Sequence, residues 1–173
     1  MNFLDVITTE IRKQSKQHYL FEEIEGNYKN DMIKIFNKAI QDELSACSVY
    51  YLIASQLTGF EEVEIAEEFQ KHAKEEYEHF TELLDYASNH GIEGYLNLNL
   101  MPYTQQYPVE LQAVIDWKQN LEKESMNDYL AAAKLAEEKG DVLTMDFFKE
   151  LAKDKSNHIN DLLKFTDIGY KYL

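Results

Sequence analysis

Glu43, Glu76, His79, Glu122 and His158 are the residues of this chain whose types and spacing can do chemistry. Glu76 and His79 stand three apart in AKEEYEHF (73–80), so on a helix they project the same way and can grip one cation together. Carboxylate oxygens with imidazole nitrogens suit iron, manganese or zinc, and bridging carboxylates suit a pair of ions. All five also fall on or beside stripes that otherwise read as apolar helix seams. A buried, unpartnered carboxylate costs on the order of several kcal/mol, so three facing one another require a cation among them.

The elements that must position them are four helical patterns. The first covers about 29–58, with Ile33, Phe36, Ile40, Glu43, Cys47, Tyr50, Ala54 and Leu57 at spacings of three and four, and Gly59 breaks it. The second covers about 61–89 along Ile65, Phe69, His72, Glu76, His79, Leu83 and Tyr86, with three consecutive polar residues on the stripe. A third should run over about 109–139 through Ile115, Lys118, Glu122, Ser125, Tyr129 and Ala132, closed by Gly140. The fourth covers about 141–166 through Phe148, Ala152, Lys155, His158, Leu162 and Phe165. Between them GIEGYLNLNLMPYTQQYP (91–108) has both prolines and no helical period, and it is long enough to cross from one bundle end to the other. The expected fold is therefore all-α: an antiparallel four-helix bundle over 29–166, with a long crossover between the second and third helices. Residues 1–28 form an N-terminal extension containing a short amphipathic helix, and 167–173 a C-terminal tail.

An internal repeat fixes the register. FQKHAKEEYEHFTELLDY (69–86) aligns with FKELAKDKSNHINDLLKF (148–165) at an offset of 79, which also carries Glu43 to Glu122 and Tyr50 to Tyr129. Glu43 to Glu76 is 33 residues, and so is Glu122 to Lys155.

This layout resembles the ferritin-like superfamily, whose bundles hold a dinuclear site with a Glu from each of two helices and a Glu-x-x-His from each of the other two. In helix length and in both spacings it is most similar to bacterial ferritins and bacterioferritins. The resemblance implies metal ligation by Glu43, Glu76, His79, Glu122 and His158, and gives Tyr50 the place of a tyrosine beside the site. Lys155 departs from the pattern, standing where the fourth-helix bridging Glu belongs. Either the site holds one metal, or Lys155 swings away, or its ammonium takes the second metal position as an internal salt-bridge partner; Asp154 supplies a replacement oxygen only if the helix rotates locally. Tyr50 and Lys155 are thus the candidate catalytic residues. Tyr77 stands where bacterioferritins use a methionine to grip haem, which argues against haem and for one or two non-haem iron ions. FTDIGYKYL leaves no room for the family's short fifth helix, so the resemblance implies a smaller homo-oligomer, either a mini-ferritin-like cage or a dimer.

The other polar seam residues have plainer readings. His72 pairs with Leu151 in the repeat, which reads as a hydrogen-bonded core or channel histidine. Cys47 reads as a small buried residue, and Tyr50 and Tyr129 as core aromatics whose hydroxyls need partners.

Composition bounds the rest. A formal net charge of −15 repels nucleic acid and anionic lipid and attracts cations. The basic cluster RKQSKQH (12–18) reads as a solvated helix face. No apolar run approaches the ~20 residues that span a bilayer. The start lacks a signal-peptide layout, and a lone cysteine forms no intrachain disulfide; both point to the cytoplasm. The functional expectation is oxidation of Fe2+ by O2 or peroxide at the intrasubunit centre, with storage or detoxification of the iron. Two alternatives stand beside it: a non-storage enzyme of this fold activating O2 with Lys155 at the centre, and a metal-free bundle in which Lys155 neutralises the carboxylates.

Overall fold

The computed structural model describes residues 26–59, 62–92 and 110–166, and they form four helices: α1 Gly26–Gln56, α2 Val63–Asn89, α3 Leu111–Glu138 and α4 Val142–Leu163. The seam periodicity located each to within three residues. α1 begins at Gly26, inside the stretch expected as an extension. The short helix expected near the N-terminus and the crossover after Gly91 lie outside the described residues, as does the C-terminal tail.

Local chemistry sets the helix ends. At the end of α2, Gly91 adopts φ 70°, and Ile92 N–H donates to Ala87 O at 2.8 Å. Gly140 does the same after α3 with φ 74°, where Asp141 N–H donates to Ala136 O at 2.9 Å. Both are left-handed closures that glycine makes without a Cβ penalty. Asp141 then caps α4: its carboxylate accepts from Thr144 N–H at 3.1 Å and from Thr144 Oγ1 at 2.7 Å. Tyr28 of α1 donates its hydroxyl to the same carboxylate at 2.9 Å, which ties the first helix to the α3–α4 turn.

Contacts between helices give their directions. Phe36 stacks near Tyr86 and Tyr50 near Phe69, so α1 and α2 are antiparallel. Tyr129 lies against Phe148 and Glu122 near His158, making α3 and α4 antiparallel. Tyr50 reaches Glu122 across the bundle, so α1 and α3 also oppose. α2 and α3 therefore run the same way.

The core has three layers along the bundle axis. At one end Tyr28, Met32, Phe36, Ile40, Leu83 and Phe148 form an apolar cluster, and at the other Ile53, Ile65, Phe69, Ile115 and Leu162 form a second. Between them lies a belt of buried charge: Glu43, Glu76, His79, Glu122, Lys155 and His158 are all at most 6% exposed. Two hydrophobic clusters hold the helices together while one belt spends stability on ionisable groups. No described helix is long and apolar enough to cross a membrane.

Candidate metal centre

One helix contributes each part of the belt: Glu43 from α1, Glu76 and His79 from α2, Glu122 from α3, Lys155 and His158 from α4. The five residues singled out as ligands thus converge, and Tyr50 and Lys155 lie among them. Their ligand atoms sort into two overlapping triads, Glu43–Glu76–His79 and Glu76–Glu122–His158, each within 4.8 Å.

The triads differ because of Lys155. Its Nζ lies 2.8 Å from Glu43 Oε2 and 2.5 Å from Glu76 Oε2, with Glu122 Oε2 at 3.6 Å. His79 Nδ1 faces the same Glu76 oxygen at 3.1 Å. Of the three arrangements the sequence left open, the ammonium adopts the internal salt bridge, and it does so on the Glu43–Glu76–His79 side. The Glu76–Glu122–His158 side has the opposite character. Glu76 Oε1, Glu122 Oε2 and His158 Nδ1 are buried and have no hydrogen-bond partner among the described residues. They are nonetheless neighbours, with His158 Nδ1 3.4 Å from Glu76 Oε1 and 3.5 Å from Glu122 Oε2. Bonds of about 2.0–2.2 Å, as carboxylates and imidazoles make to zinc, set tetrahedral donor atoms about 3.4 Å apart. Two buried carboxylate oxygens, each at about that spacing from one imidazole nitrogen and all within 4.8 Å of one another, fit a small divalent cation.

Outer partners fix these groups. His158 Nε2 meets Glu75 Oε2 at 3.0 Å, which holds a ring proton there and turns Nδ1 toward the triad, where an arriving cation would displace the Nδ1 proton. The repeat mate of Glu75 is Asp154, and Asp154 Oδ2 faces His79 Nε2 at 3.5 Å. Asp154 therefore stands behind His79 on the outer side and supplies no replacement ligand; α4 keeps regular helical phase there. The tyrosines obey the same pseudo-symmetry. Tyr50 donates to Glu122 Oε1 at 2.6 Å, and Tyr129 donates a short hydrogen bond to Glu43 Oε1. Each half's tyrosine thus holds the other half's glutamate.

Electrostatics follows from this packing. Burial pushes Glu122 up, but Lys155, Lys118 and His158 overcome it and hold its carboxyl down to about 2. Glu76 is likewise held well below the usual carboxylate range, burial being outweighed by Lys155, His158 and His79. Glu43 goes the other way, raised by burial and by the charge of Glu76. Burial disfavours the charged imidazole at His158, yet Glu122, Glu75 and Glu76 raise it to about 11. Against the same penalty, Glu43 and Glu76 bring His79 up to about 9. Lys155 is held above its ordinary value by three carboxylates despite complete burial.

Two participants, Lys118 and Glu75, escaped the sequence reading. Lys118 was placed on the seam but given no role, and its Nζ lies 3.4 Å from Glu122 Oε1 and 3.7 Å from the centroid of the Tyr50 ring. Its repeat mate is Ala39, so the repeat gave no signal for it. Glu75 was not singled out in the sequence, though its match in charge with Asp154 across the repeat was a usable clue. His72, expected as a hydrogen-bonded histidine, is fully buried, stacks on His158 at 4.2 Å and has no hydrogen-bond partner among the described residues. Cys47 is buried, as expected.

Two openings reach the belt. A groove of about 530 Å³ between α2 and α4 is lined by Glu75, Glu78, Glu82, Asp154 and Asp161 and meets the edges of His79 and His158. On the α1–α3 side a cavity of about 160 Å³ reaches Lys118, Glu122 and Lys155.

Comparison with known proteins bears on this geometry. No curated protein matches the sequence. Among solved structures, a mycobacterial bacterioferritin superposes with a TM-score of 0.71 at 20% identity, over 82% of this chain and 86% of that one. A ferritin-like, diiron-carboxylate protein of Bacillus anthracis str. Ames gives 0.72 at 15% identity, over 82% and 99%. Rhodobacter capsulatus bacterioferritin, described with a metal-free dinuclear site and haem iron, gives 0.70 at 19% identity, over 82% and 87%. At these identities the likeness establishes the fold. A family model for the ferritin-like domain matches residues 33–168, which takes in α1 from Ile33 onward, the other three helices and every residue of the belt. The chain belongs to the ferritin-like domain family.

Proposed function

We propose that this protein binds one ferrous ion per chain at Glu76, Glu122 and His158 and oxidises it, with Lys155 permanently filling the place of a second ion. The observation that carries this reading is the convergence of three buried, unpartnered donor atoms at ligand spacing. The diiron-carboxylate and bacterioferritin descriptions of its structural neighbours favour iron over other cations of similar size.

The chain's own groups divide the work. The acidic α2–α4 groove draws Fe2+ toward the histidine edge. Glu75 keeps the His158 proton on Nε2, and Tyr50 holds Glu122 Oε1 so that Oε2 stays turned inward. Lys155 fixes Glu43 and Glu76 and balances their charge. Fe2+ held there would give up one electron as it becomes Fe3+, and O2 reaching the belt through the α1–α3 cavity would take that electron and leave as superoxide. Release of Fe3+ to storage in a homo-oligomer completes the proposed cycle. Titration with Fe2+ under argon, followed by admission of O2, tests it. Glu122→Ala should remove one bound ion per chain and the Fe3+ absorbance. An unchanged iron count in that variant would refute the assignment.

One observation favours a second reading. Lys155 and the two imidazoles, both held protonated, match the three carboxylates charge for charge without any ion. On that reading the belt is a self-neutralised, metal-free core, and Fe2+ titration finds nothing at the centre.

A further inference from the structure

His72 is a buried group with no part in the centre or in the repeated architecture. It is 0% exposed, and neither ring nitrogen has a hydrogen-bond partner among the described residues. The matching position in the other half is Leu151, so packing alone is served there by a hydrocarbon side chain. Its ring lies edge-on to Tyr50 at 5.2 Å and flat on His158. Its Nε2 faces two carboxylates, Glu68 Oε1 at 3.2 Å and Asp161 Oδ2 at 3.7 Å, of which Asp161 lines the α2–α4 groove. Those carboxylates are 23% and 19% exposed, so they join a dry nitrogen to solvent.

We propose that Glu68, His72 and Asp161 form a second divalent-cation site at the mouth of the groove, separate from the central belt. One ligand atom from each lies within 4.8 Å of the others, drawn from α2 at i and i+4 and from α4 opposite. One imidazole and two carboxylates suit zinc, cobalt, manganese or ferrous iron. His72 also lies near Glu75 and His158, but Glu75 is engaged by His158 Nε2, so the Glu68–Asp161 side is where its nitrogen meets carboxylates held by exposed lysines alone, Lys164 Nζ lying 2.5 Å from Asp161 Oδ1. Lys71 Nζ currently spans the same two carboxylates, 2.8 Å from Glu68 Oε1 and 3.2 Å from Asp161 Oδ2. Its side chain is half exposed and can turn into water as an ion arrives, because exposed ion pairs hold weakly. The position suits a cation that pauses at the groove before moving inward, and the site stands whether or not the centre binds metal.

Metal-stripped protein titrated with CoCl2 and counted by equilibrium dialysis tests this. Leucine occupies the repeat-related position, so His72→Leu is the natural variant, and Asp161→Asn is the second should His72→Leu fail to fold. Each should bind one Co2+ per chain fewer than the unmodified protein, or bind that ion at least about tenfold more weakly. Lys71→Met should tighten the same ion about two- to fivefold. Glu122→Gln should leave it in place while subtracting any ion held by the centre, so failure of either site reads out separately. Anomalous diffraction should show cobalt beside His72 Nε2. Equal Co2+ counts in the unmodified protein and folded His72→Leu or Asp161→Asn would overturn the proposal, as would an anomalous map without that peak.

Discussion

Replacing Lys155 by methionine removes the charge and keeps most of the volume. In the metal-free protein that leaves Glu43 and Glu76 facing each other with their 2.8 Å and 2.5 Å partner gone, at 1% and 0% exposure. Removing one partner of a buried ion pair costs about 3–5 kcal/mol, because the remaining charge stays buried without compensation. For a chain of this size each kcal/mol moves Tm by about 2–4 °C, so the expected loss is about 6–20 °C. That is a large share of the ~5–15 kcal/mol by which domains are stable. A divalent ion should reverse it, since the vacated Glu43–Glu76–His79 triad then has ligand atoms within 4.8 Å and no ammonium between them. At a metal concentration of 100 times Kd the ion restores about 2.7 kcal/mol. The assay is thermal unfolding with excess chelator and with Mn2+, alongside metal counting by mass spectrometry. Lys155→Met should be strongly destabilised in chelator, largely rescued by Mn2+, and should hold one more ion at the centre than the unmodified protein. Lys155→Glu should show the larger rescue, because it adds a ligand as well. Equal stability of Lys155→Met and the unmodified protein in chelator would refute the claim that the ammonium compensates the belt.

Other expectations follow from the same contacts. Tyr50→Phe removes the 2.6 Å hydrogen bond to Glu122 Oε1, leaving that oxygen Lys118 Nζ at 3.4 Å, and should cost about 1–3 kcal/mol in denaturant titrations, with weaker metal binding at the centre. Asp141→Ala removes the α4 cap and the Tyr28 partner together, so it should cost more than the ~0.5–2 kcal/mol of a cap alone, and Tyr28→Phe should recover part of the difference in a double-mutant cycle. Burial and neighbouring His158 lower His72 to about 4 from its ordinary 6.5, so the unfolded chain takes up that proton first. Its contribution to stability is therefore present above pH 6.5 and lost as pH falls toward 4. His79, raised to about 9, contributes stability present below pH 6.5 and lost as pH rises through 9. Urea midpoints of metal-free protein should accordingly fall on both sides of pH 6.5, and His72→Leu should flatten the acid side alone; an unchanged acid side would count against the burial of a neutral imidazole there.

The fold was legible because three- and four-residue spacing of apolar side chains is a local property, and here it runs nearly unbroken through each helix. Glu43, Glu76, His79, Glu122 and His158 stood out by interrupting that spacing, and the 79-residue offset supplied the pairing between halves that one helix alone cannot give. Orientation inside the belt was not legible. Lys155 was visible as a departure, but which carboxylates its four-carbon stem reaches depends on side-chain torsions and on the space left by Tyr129 and Tyr50. Glu75 and Asp154 illustrate the same limit: each sits one residue before a seam position, and only the packed ring planes of His158 and His79 make them outer partners. Lys118 carries no counterpart in the repeat, so nothing marked its amine as lying over Tyr50 beside Glu122.

The central claim is that an ammonium has taken one of two cation positions and left the other open. Anomalous diffraction at the iron edge, on crystals loaded anaerobically with Fe2+, tests it most directly. The account predicts one iron within the belt, bonded to Glu76, Glu122 and His158, with Lys155 Nζ still against Glu43 and Glu76. Two irons in the belt with Lys155 displaced, or a belt without iron under saturating Fe2+, would contradict it.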